Sequence, residues 1–124
     1  MDEVARMIKQ EVLGWPGVTA EPHRFGGVEF RVNHREIGHL HGSHLADLPL
    51  TKRIRDELVA SGRAVSHHVL PNSGWVSFYI RGPRDVAAAI ALFRLNYDRL
   101  VKIGQSDATR SGEPERKTAS QAGS

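Results

Sequence analysis

Two short runs of alternating apolar and polar residues, joined by two turn-forming residues, constrain the fold of this chain most. The runs span residues 28–32 and 35–41, and Asn33 and His34 lie between them. Alternation with a period of two predicts strands, and a two-residue connection that begins with Asn predicts a tight antiparallel hairpin. The register expected from this turn pairs Val32 with Arg35, Arg31 with Glu36 and Phe30 with Ile37.

The other elements are predicted from their start and stop signals. Thr51 is a candidate helix N-cap, Gly62 suits a helix C-terminus, and Pro83 suits a first helical turn. Helices are expected over residues 2–13, over 52–61 and from Gly82-Pro83 to about 103, and strands over 18–21, 28–32, 35–41, 64–70 and 75–80, with 45–49 as an irregular link. This pattern predicts an α+β fold of order α-β-β-β-α-β-β-α, with a mainly antiparallel sheet of about five strands and helices on one face.

Composition divides the chain into two parts. Residues 1–103 carry the periodic apolar pattern of one folded domain, whose last helix has an apolar stripe formed by Val86, Ala89, Ile90, Phe93, Tyr97 and Leu100. From Gly104 onward large apolar residues are absent and polar residues dominate. Such a segment cannot bury enough surface to offset its ordering entropy, so residues 104–124 are expected to form a disordered polar tail.

Several classes of protein are disfavoured by composition. The chain has no cysteine, which excludes disulfides and thiolate metal sites. Its start lacks the apolar run of a signal peptide and no stretch is long enough for a membrane span, so a cytoplasmic protein without a membrane partner is expected. The net charge is +3 and the arginines are scattered, which does not favour nucleic acid as a partner. Composition leaves open whether the chain forms a homodimer.

Histidines are the conspicuous candidates for a site. Six of the seven cluster between the hairpin and the middle of the chain, namely His34, His39, His41, His44, His67 and His68. His39 and His41 share one strand face, an arrangement that can offer two imidazoles to one ion. Three interpretations stay open: hydrogen-bonded structural histidines, which the residues alone favour, a small-molecule pocket, or a transition-metal site. No carboxylate stands at an obvious companion spacing, so a tightly held metal is not expected, and Asp47 is interpreted as a turn acceptor.

Regular strands would separate these histidines. His39 and His41 would then lie on the core face, whereas a Leu70–Trp75 closing pair in a second hairpin would place His68, Trp75 and Tyr79 on the opposite face. A β-bulge at Gly38 would reverse this arrangement. With the bulge, the three histidines and the two aromatic residues could line one polar and aromatic concavity.

A set of motifs resembles the luciferase-domain family, which is named for the luciferases of luminous fungi and has many short bacterial members. The motifs are Arg35-Glu36-Ile37-Gly38-His39-Leu40-His41-Gly42, Ala46-Asp47-Leu48-Pro49, His68, Gly74-Trp75 and Tyr97. They follow the family's order and cover about residues 1–103. The similarity to the fungal enzymes lies in Arg-Glu, His-x-His, a later His, and a Trp strand that ends in Tyr, which correspond here to Arg35, Glu36, His39, His41, His68, Trp75 and Tyr79.

The resemblance implies a site for a small oxygenated or aromatic molecule. The fungal luciferases are taken to oxidise a hydroxylated pyrone with dioxygen, without a metal or flavin, so no cofactor is expected. In that scheme His39 or His41 would be the general base, Arg35 would hold a developing oxyanion and Trp75 would form a wall, with His68, Glu36 and Tyr79 beside them. This chain is much shorter than the fungal enzymes, and light emission is not expected.

A second, weaker similarity is to small bacterial double-wing domains that are suspected of binding DNA. It supplies the alternative, a non-enzymatic interaction module that binds protein or nucleic acid. The residues alone therefore leave open whether the chain is an enzyme.

Overall fold

The computed structural model describes residues 3–23 and 26–111. Within these residues, three helices and six strands follow one another: α1 (Glu3–Leu13), β1 (Thr19–His23), β2 (Gly27–Val32), β3 (Arg35–His41), β4 (Leu45–Pro49), α2 (Lys52–Ala60), β5 (Val65–Ser66), β6 (Trp75–Tyr79) and, after a 3-10 turn (Pro83–Asp85), α3 (Val86–Ser111). The predicted α+β class is confirmed, and the sheet has six strands where about five were expected.

All six strands are antiparallel to their neighbours, in the order β1-β2-β3-β4-β6-β5. The tight turn predicted between β2 and β3 is confirmed, since Asn33 and His34 both have positive φ. Strand β4 is the element that the sequence analysis assigned to an irregular link. It lies between β3 and β6 and is buried on both faces, so it shows no alternation in its sequence.

The helices build the core on one side of the sheet. Phe93 of α3 is fully buried and meets Phe30 of β2 edge to face, with ring centroids 5.4 Å apart. Ile8 of α1 and Leu58 of α2 are buried in the same core. The predicted stripe of α3 is buried except for Ile90, which is only partly covered. These residues join the three helices and the sheet in one core, in which α1 packs on α3 and α2 packs on β5 and β6.

The signals predicted for α2 are also confirmed. The Thr51 hydroxyl accepts a hydrogen bond from the amide of Ile54 at 3.1 Å, and Gly62 after the helix has a φ of 78°. An N-cap acceptor and a left-handed glycine satisfy the backbone groups that a helix leaves open at its ends.

The second hairpin differs from its prediction. Strand β5 contains only two residues, which pair with Ser77 and Val76, and the expected Leu70–Trp75 closing pair does not form. Residues 67–74 instead make a loop, called here the 67–74 loop. The Arg55 guanidinium donates to the carbonyls of Pro71 and Ser73 within this loop. These side-chain contacts replace the ladder that the apolar pattern suggested.

The C-terminal boundary also differs, because α3 continues past Gly104 to Ser111. A helix already anchored by packing extends at little cost, since each further residue adds one backbone hydrogen bond. Residues 112–124, the rest of the predicted tail, lie outside the described residues. No helix in the described part of the chain is long and apolar enough to cross a membrane.

Candidate functional site

A β-bulge in β3 sets which side chains face away from the helices. Arg31 pairs with Glu36 and Phe30 pairs with Gly38, so Ile37 is the extra residue. The bulge lies at the position where the sequence analysis placed it as an alternative. Side chains normally alternate along a strand, and one extra residue reverses the alternation beyond it. As a result Glu36, His39 and His41 face one side, while Ile37 and Leu40 enter the core.

Glycine at position 38 is required by close packing. A Cβ atom there would lie 2.8 Å from the backbone oxygen of Asp47 and 2.9 Å from the ring of Phe93. Gly38 thus lets β3 approach both β4 and α3 closely. This contact fixes the strand from which the site histidines project.

An open cleft of about 510 Å³ lies on the sheet face away from α3. Strand β3 forms its floor, and the 67–74 loop and β6 form part of its wall. The residues that line it are His23, Glu36, His39, His41, Asp47, His67, His68, Val69, Leu70 and Trp75. Its volume is in the range of small-molecule sites.

Asp47 is the centre of the cleft. It lies directly across from His39 in the β3–β4 ladder, and its side chain is 1% exposed. Its Oδ1 accepts a hydrogen bond from the Ser77 hydroxyl at 2.6 Å. Its Oδ2 lies near four imidazole nitrogens: the Nε2 atoms of His41 at 3.1 Å, His39 at 3.3 Å, His67 at 3.6 Å and His68 at 3.9 Å.

His39 is held between two carboxylates. Its Nδ1 lies 2.7 Å from Oε2 of Glu36, and its Nε2 faces Asp47. Burial lowers the pKa of His39, but the hydrogen bonds to Asp47 and Glu36 outweigh burial and raise it to about 9. Burial also raises the pKa of Asp47, but the hydrogen bonds from His39 and Ser77 bring it down to about 2. At neutral pH the pair is therefore an imidazolium and a carboxylate.

His67 has a structural role. Its Nδ1 accepts hydrogen bonds from the backbone amides of Val69 and Leu70, both at 3.1 Å. A nitrogen that accepts cannot carry a proton, so the proton of the neutral ring is on Nε2, which points toward Asp47. Burial lowers the pKa of His67, which agrees with a neutral ring. Burial and the charge of His39 also lower the pKa of His41.

Aromatic and apolar groups complete the cleft. The Trp75 ring lies 5.5 Å from that of His39 and 5.7 Å from that of His67, and Val69 and Leu70 are exposed beside it. His23 of β1 stacks on His39 with centroids 4.0 Å apart. The cleft therefore combines a polar floor with a partly apolar wall.

The structure brings together five of the seven residues suggested by the sequence: Glu36, His39, His41, His68 and Trp75. Arg35 lies elsewhere, because neighbouring strand residues point to opposite faces and Glu36 faces the cleft. Arg35 pairs with Val32, whose side chain is buried in the core, so Arg35 lies on the helix side of the sheet. Burial and then the charge of Arg35 lower the pKa of Arg99.

Tyr79 also lies outside the cleft. It shares a face with Trp75, but it is four residues further along β6, opposite Leu45. It lines a separate shallow depression with Gly62 and Arg63. The cleft therefore contains neither Arg35, the expected oxyanion partner, nor Tyr79, the expected second aromatic residue of the wall.

Besides the apolar Val69 and Leu70, three polar lining residues were not predicted as site residues: Asp47, His67 and His23. For Asp47 a signal existed, since a single carboxylate inside the apolar run Leu45–Leu48 needs a buried partner. The expectation of no tightly held metal rested on the absence of a nearby carboxylate. That premise is wrong, because both Asp47 and Glu36 contact His39.

The fold and the site define an α+β domain with a histidine- and carboxylate-lined cleft on the open face of its sheet. The family model described as Luciferase domain matches residues 34–96, just over half of the chain. The chain belongs to the luciferase-domain family. The match runs from the β2–β3 turn into α3 and includes every cleft residue except His23. No curated protein and no solved structure gives a significant match.

Proposed function

We propose that the cleft binds a small oxygenated or aromatic molecule with an acidic hydroxyl and that a cleft histidine accepts the hydroxyl proton. The observation that carries this proposal is the grouping of Asp47, His39, His41 and His68 next to the Trp75 ring. A few convergent polar groups beside an apolar wall are typical of small-molecule sites. Membership of the luciferase-domain family supports the same class of ligand.

His68 is the proton acceptor in this proposal. His39 has carboxylates at both ring nitrogens and carries a proton, so it cannot accept another. His41 is held by a hydrogen bond between its Nε2 and Asp47, and its side chain is only 25% exposed, so it is less accessible to a ligand than His68. The side chain of His68 is 47% exposed and has no hydrogen bond to any described residue, so it is free to meet a ligand at the mouth of the cleft. Imidazole is suited to this role because it exchanges a proton near neutral pH.

The proton transfer leaves an electron-rich anionic ring. In an oxygenase, dioxygen would be the second reactant, and in another histidine-based enzyme the anion would be the intermediate of a different step. The two possibilities share the same first event, loss of the hydroxyl proton to His68. The ring itself packs against Trp75 and the aliphatic side chains of Val69 and Leu70.

Calorimetric titration with a hydroxylated pyrone and its methyl ether tests this proposal. The hydroxyl compound should bind, the ether should bind more weakly, and Trp75→Ala should weaken binding about tenfold, as expected for loss of an aromatic contact. His68→Ala should remove the preference for the hydroxyl compound. Tyr79→Phe is the matched control and should change nothing. Equal affinity for the pyrone in Trp75→Ala, or no binding of either compound, would contradict the proposal.

Oxygen uptake measured with the same compounds then separates the two kinds of enzyme. Uptake that depends on both the hydroxyl compound and His68 supports an oxygenase. Binding without uptake leaves a histidine-based enzyme of another class or a binding domain.

A further inference from the structure

We propose that the floor of the cleft is a binding site for one divalent transition-metal ion, held by Nε2 of His39, Nε2 of His41 and Oδ2 of Asp47. The site lies in the same cleft as the proposed small-molecule site and goes beyond it. It rests on the positions of donor atoms, and its test needs no ring compound.

The two distances from Oδ2 of Asp47 to the imidazole nitrogens fit one ion. Donors about 2.0–2.2 Å from a metal lie about 2.8–3.6 Å from each other when they subtend angles between 90° and tetrahedral. Oδ2 of Asp47 lies 3.1 Å from Nε2 of His41 and 3.3 Å from Nε2 of His39. The rings of His39 and His41 are nearly perpendicular, at 88°, which allows both in-plane lone pairs to point at one position.

Two neighbouring histidines are excluded as ligands by the same reasoning. His23 and His39 are stacked 4.0 Å apart at an angle of 16°, so their in-plane lone pairs run side by side rather than converge. His67 holds its proton on Nε2, because its Nδ1 accepts two backbone amides. His67 can therefore donate toward Asp47 but cannot bind the ion through Nε2. His68 lies at the mouth of the cleft and is not one of the proposed ligands.

Outer partners hold two of the three ligands, His39 and Asp47, in place. Oε2 of Glu36 lies 2.7 Å from Nδ1 of His39, so the ring can keep its Nδ1 proton bonded to Glu36 while the ion takes the place of the proton on Nε2. The Ser77 hydroxyl donates to Oδ1 of Asp47 and leaves Oδ2 for the metal. Metal-bound histidines commonly donate their second nitrogen to a carboxylate in this way.

The charge of the cleft also favours a dication. Glu36 and Asp47 bring two carboxylates into its lining, and no lysine or arginine lies among the lining residues that the structure describes. One divalent ion would neutralise the negative charges of both carboxylates. Two imidazoles and one carboxylate on one side of an ion leave the opposite positions open, an arrangement typical of non-haem iron(II) sites. Those positions face the cleft, where water or the oxygen of a ligand would bind.

Calorimetric titration of chelator-treated, tag-free protein with zinc tests the proposal, and the absorption spectrum of the cobalt(II) form reports the ligand set. We expect one ion per chain with a micromolar or tighter Kd. His41→Ala and Asp47→Asn should abolish binding in that range, and Glu36→Gln should weaken it about 10–100-fold because it changes an outer partner. His34→Asn, which removes an exposed imidazole from the β2–β3 turn, is the matched control and should bind as the unchanged protein does.

Thermal melting of each variant shows whether it is folded. If Asp47→Asn is not folded, His41→Ala still tests the proposal. The unchanged protein should melt at a higher temperature with zinc, since an ion that binds only the folded state stabilises it. Absence of stoichiometric binding, or unchanged binding in folded His41→Ala, would overturn the proposal. Zinc binding without pyrone binding would contradict only the proposed function, and pyrone binding without zinc binding would contradict only the metal site.

Discussion

The side-chain amide of Asn96 donates a hydrogen bond to the carbonyl of Ile37 at 2.8 Å, and this bond joins α3 to the bulge in β3. Asn96 is fully buried, and it also donates to the carbonyl of Pro49 in β4 at 3.2 Å. A bulge leaves backbone groups without partners in the ladder, and a buried carbonyl without a partner is costly. Asn96 supplies that partner from the helix side of the sheet, so the bulge that turns Glu36 and His39 into the cleft depends on a residue outside it.

Replacement of Asn96 by alanine should lower the free energy of unfolding by about 1–3 kcal/mol, because it leaves the Ile37 carbonyl buried without a donor. Urea denaturation measures this loss. Asn72→Ala, in the exposed part of the 67–74 loop, is the control and should change stability by less than about 0.5 kcal/mol. Equal stability of the two variants would show that the bulge does not need Asn96.

Substitution of Gly38 by alanine should destabilise the protein strongly or prevent folding. The new methyl group would overlap the Asp47 carbonyl and the Phe93 ring, and inserting a methyl into packed core typically costs about 1–3 kcal/mol. Gly82→Ala is the matched control, because a Cβ there meets nothing within 4 Å and its φ of 171° is open to alanine. Thermal melting compares the two. A Gly38→Ala protein as stable as Gly82→Ala would contradict the close packing of β3.

His67 offers a comparison of two amide substitutions. The Oδ1 atom of asparagine can take the place of Nδ1 and accept from the amides of Val69 and Leu70, whereas the longer glutamine places its oxygen near the Nε2 position. His67→Asn should therefore be more stable than His67→Gln by about 1 kcal/mol, the value of a typical hydrogen bond. Urea denaturation of the two proteins decides this. The reverse order would mean that the contact with Asp47 matters more than the shape of the loop.

Phe93 tests the helix packing. Its ring is fully buried between the sheet and α3, so Phe93→Ala should cost about 3–5 kcal/mol in unfolding free energy. Ile90→Ala should cost less, because Ile90 is only partly buried. A loss below about 1 kcal/mol for Phe93→Ala, measured by urea denaturation, would contradict the observed core.

Much of the fold could be predicted from local signals. The β2–β3 turn, the Thr51 cap and the stripe of α3 each depend on neighbouring residues, and the structure has all three. Strand β4 could not be found in this way, because a central strand buried on both faces has no alternation. The shape of the 67–74 loop could not be predicted either, since it depends on contacts with the distant Arg55 and on the ring of His67.

The site could be predicted only in part, because some of its contacts are local in sequence and others join distant residues. His39 and His41 are two residues apart on one strand, so their shared face followed from the sequence. Their approach to His68 required the bulge, and the sequence could only mark Gly38 as its position. The central role of Asp47 required β4, because a side chain directly across a ladder is recognised only when both strands are known.

If the cleft beside Trp75 is a ligand site, a bound ligand should change the indole signal of Trp75 but not that of Trp15 in a nitrogen-15 NMR spectrum. Trp75 lines the cleft, whereas Trp15 packs against Tyr97 in the helical layer and serves as an internal control. Titration with the hydroxylated pyrone should shift the Trp75 indole signal progressively and to saturation, while the Trp15 signal stays in place. Binding with an unmoved Trp75 signal, or equal shifts of both signals, would contradict the account.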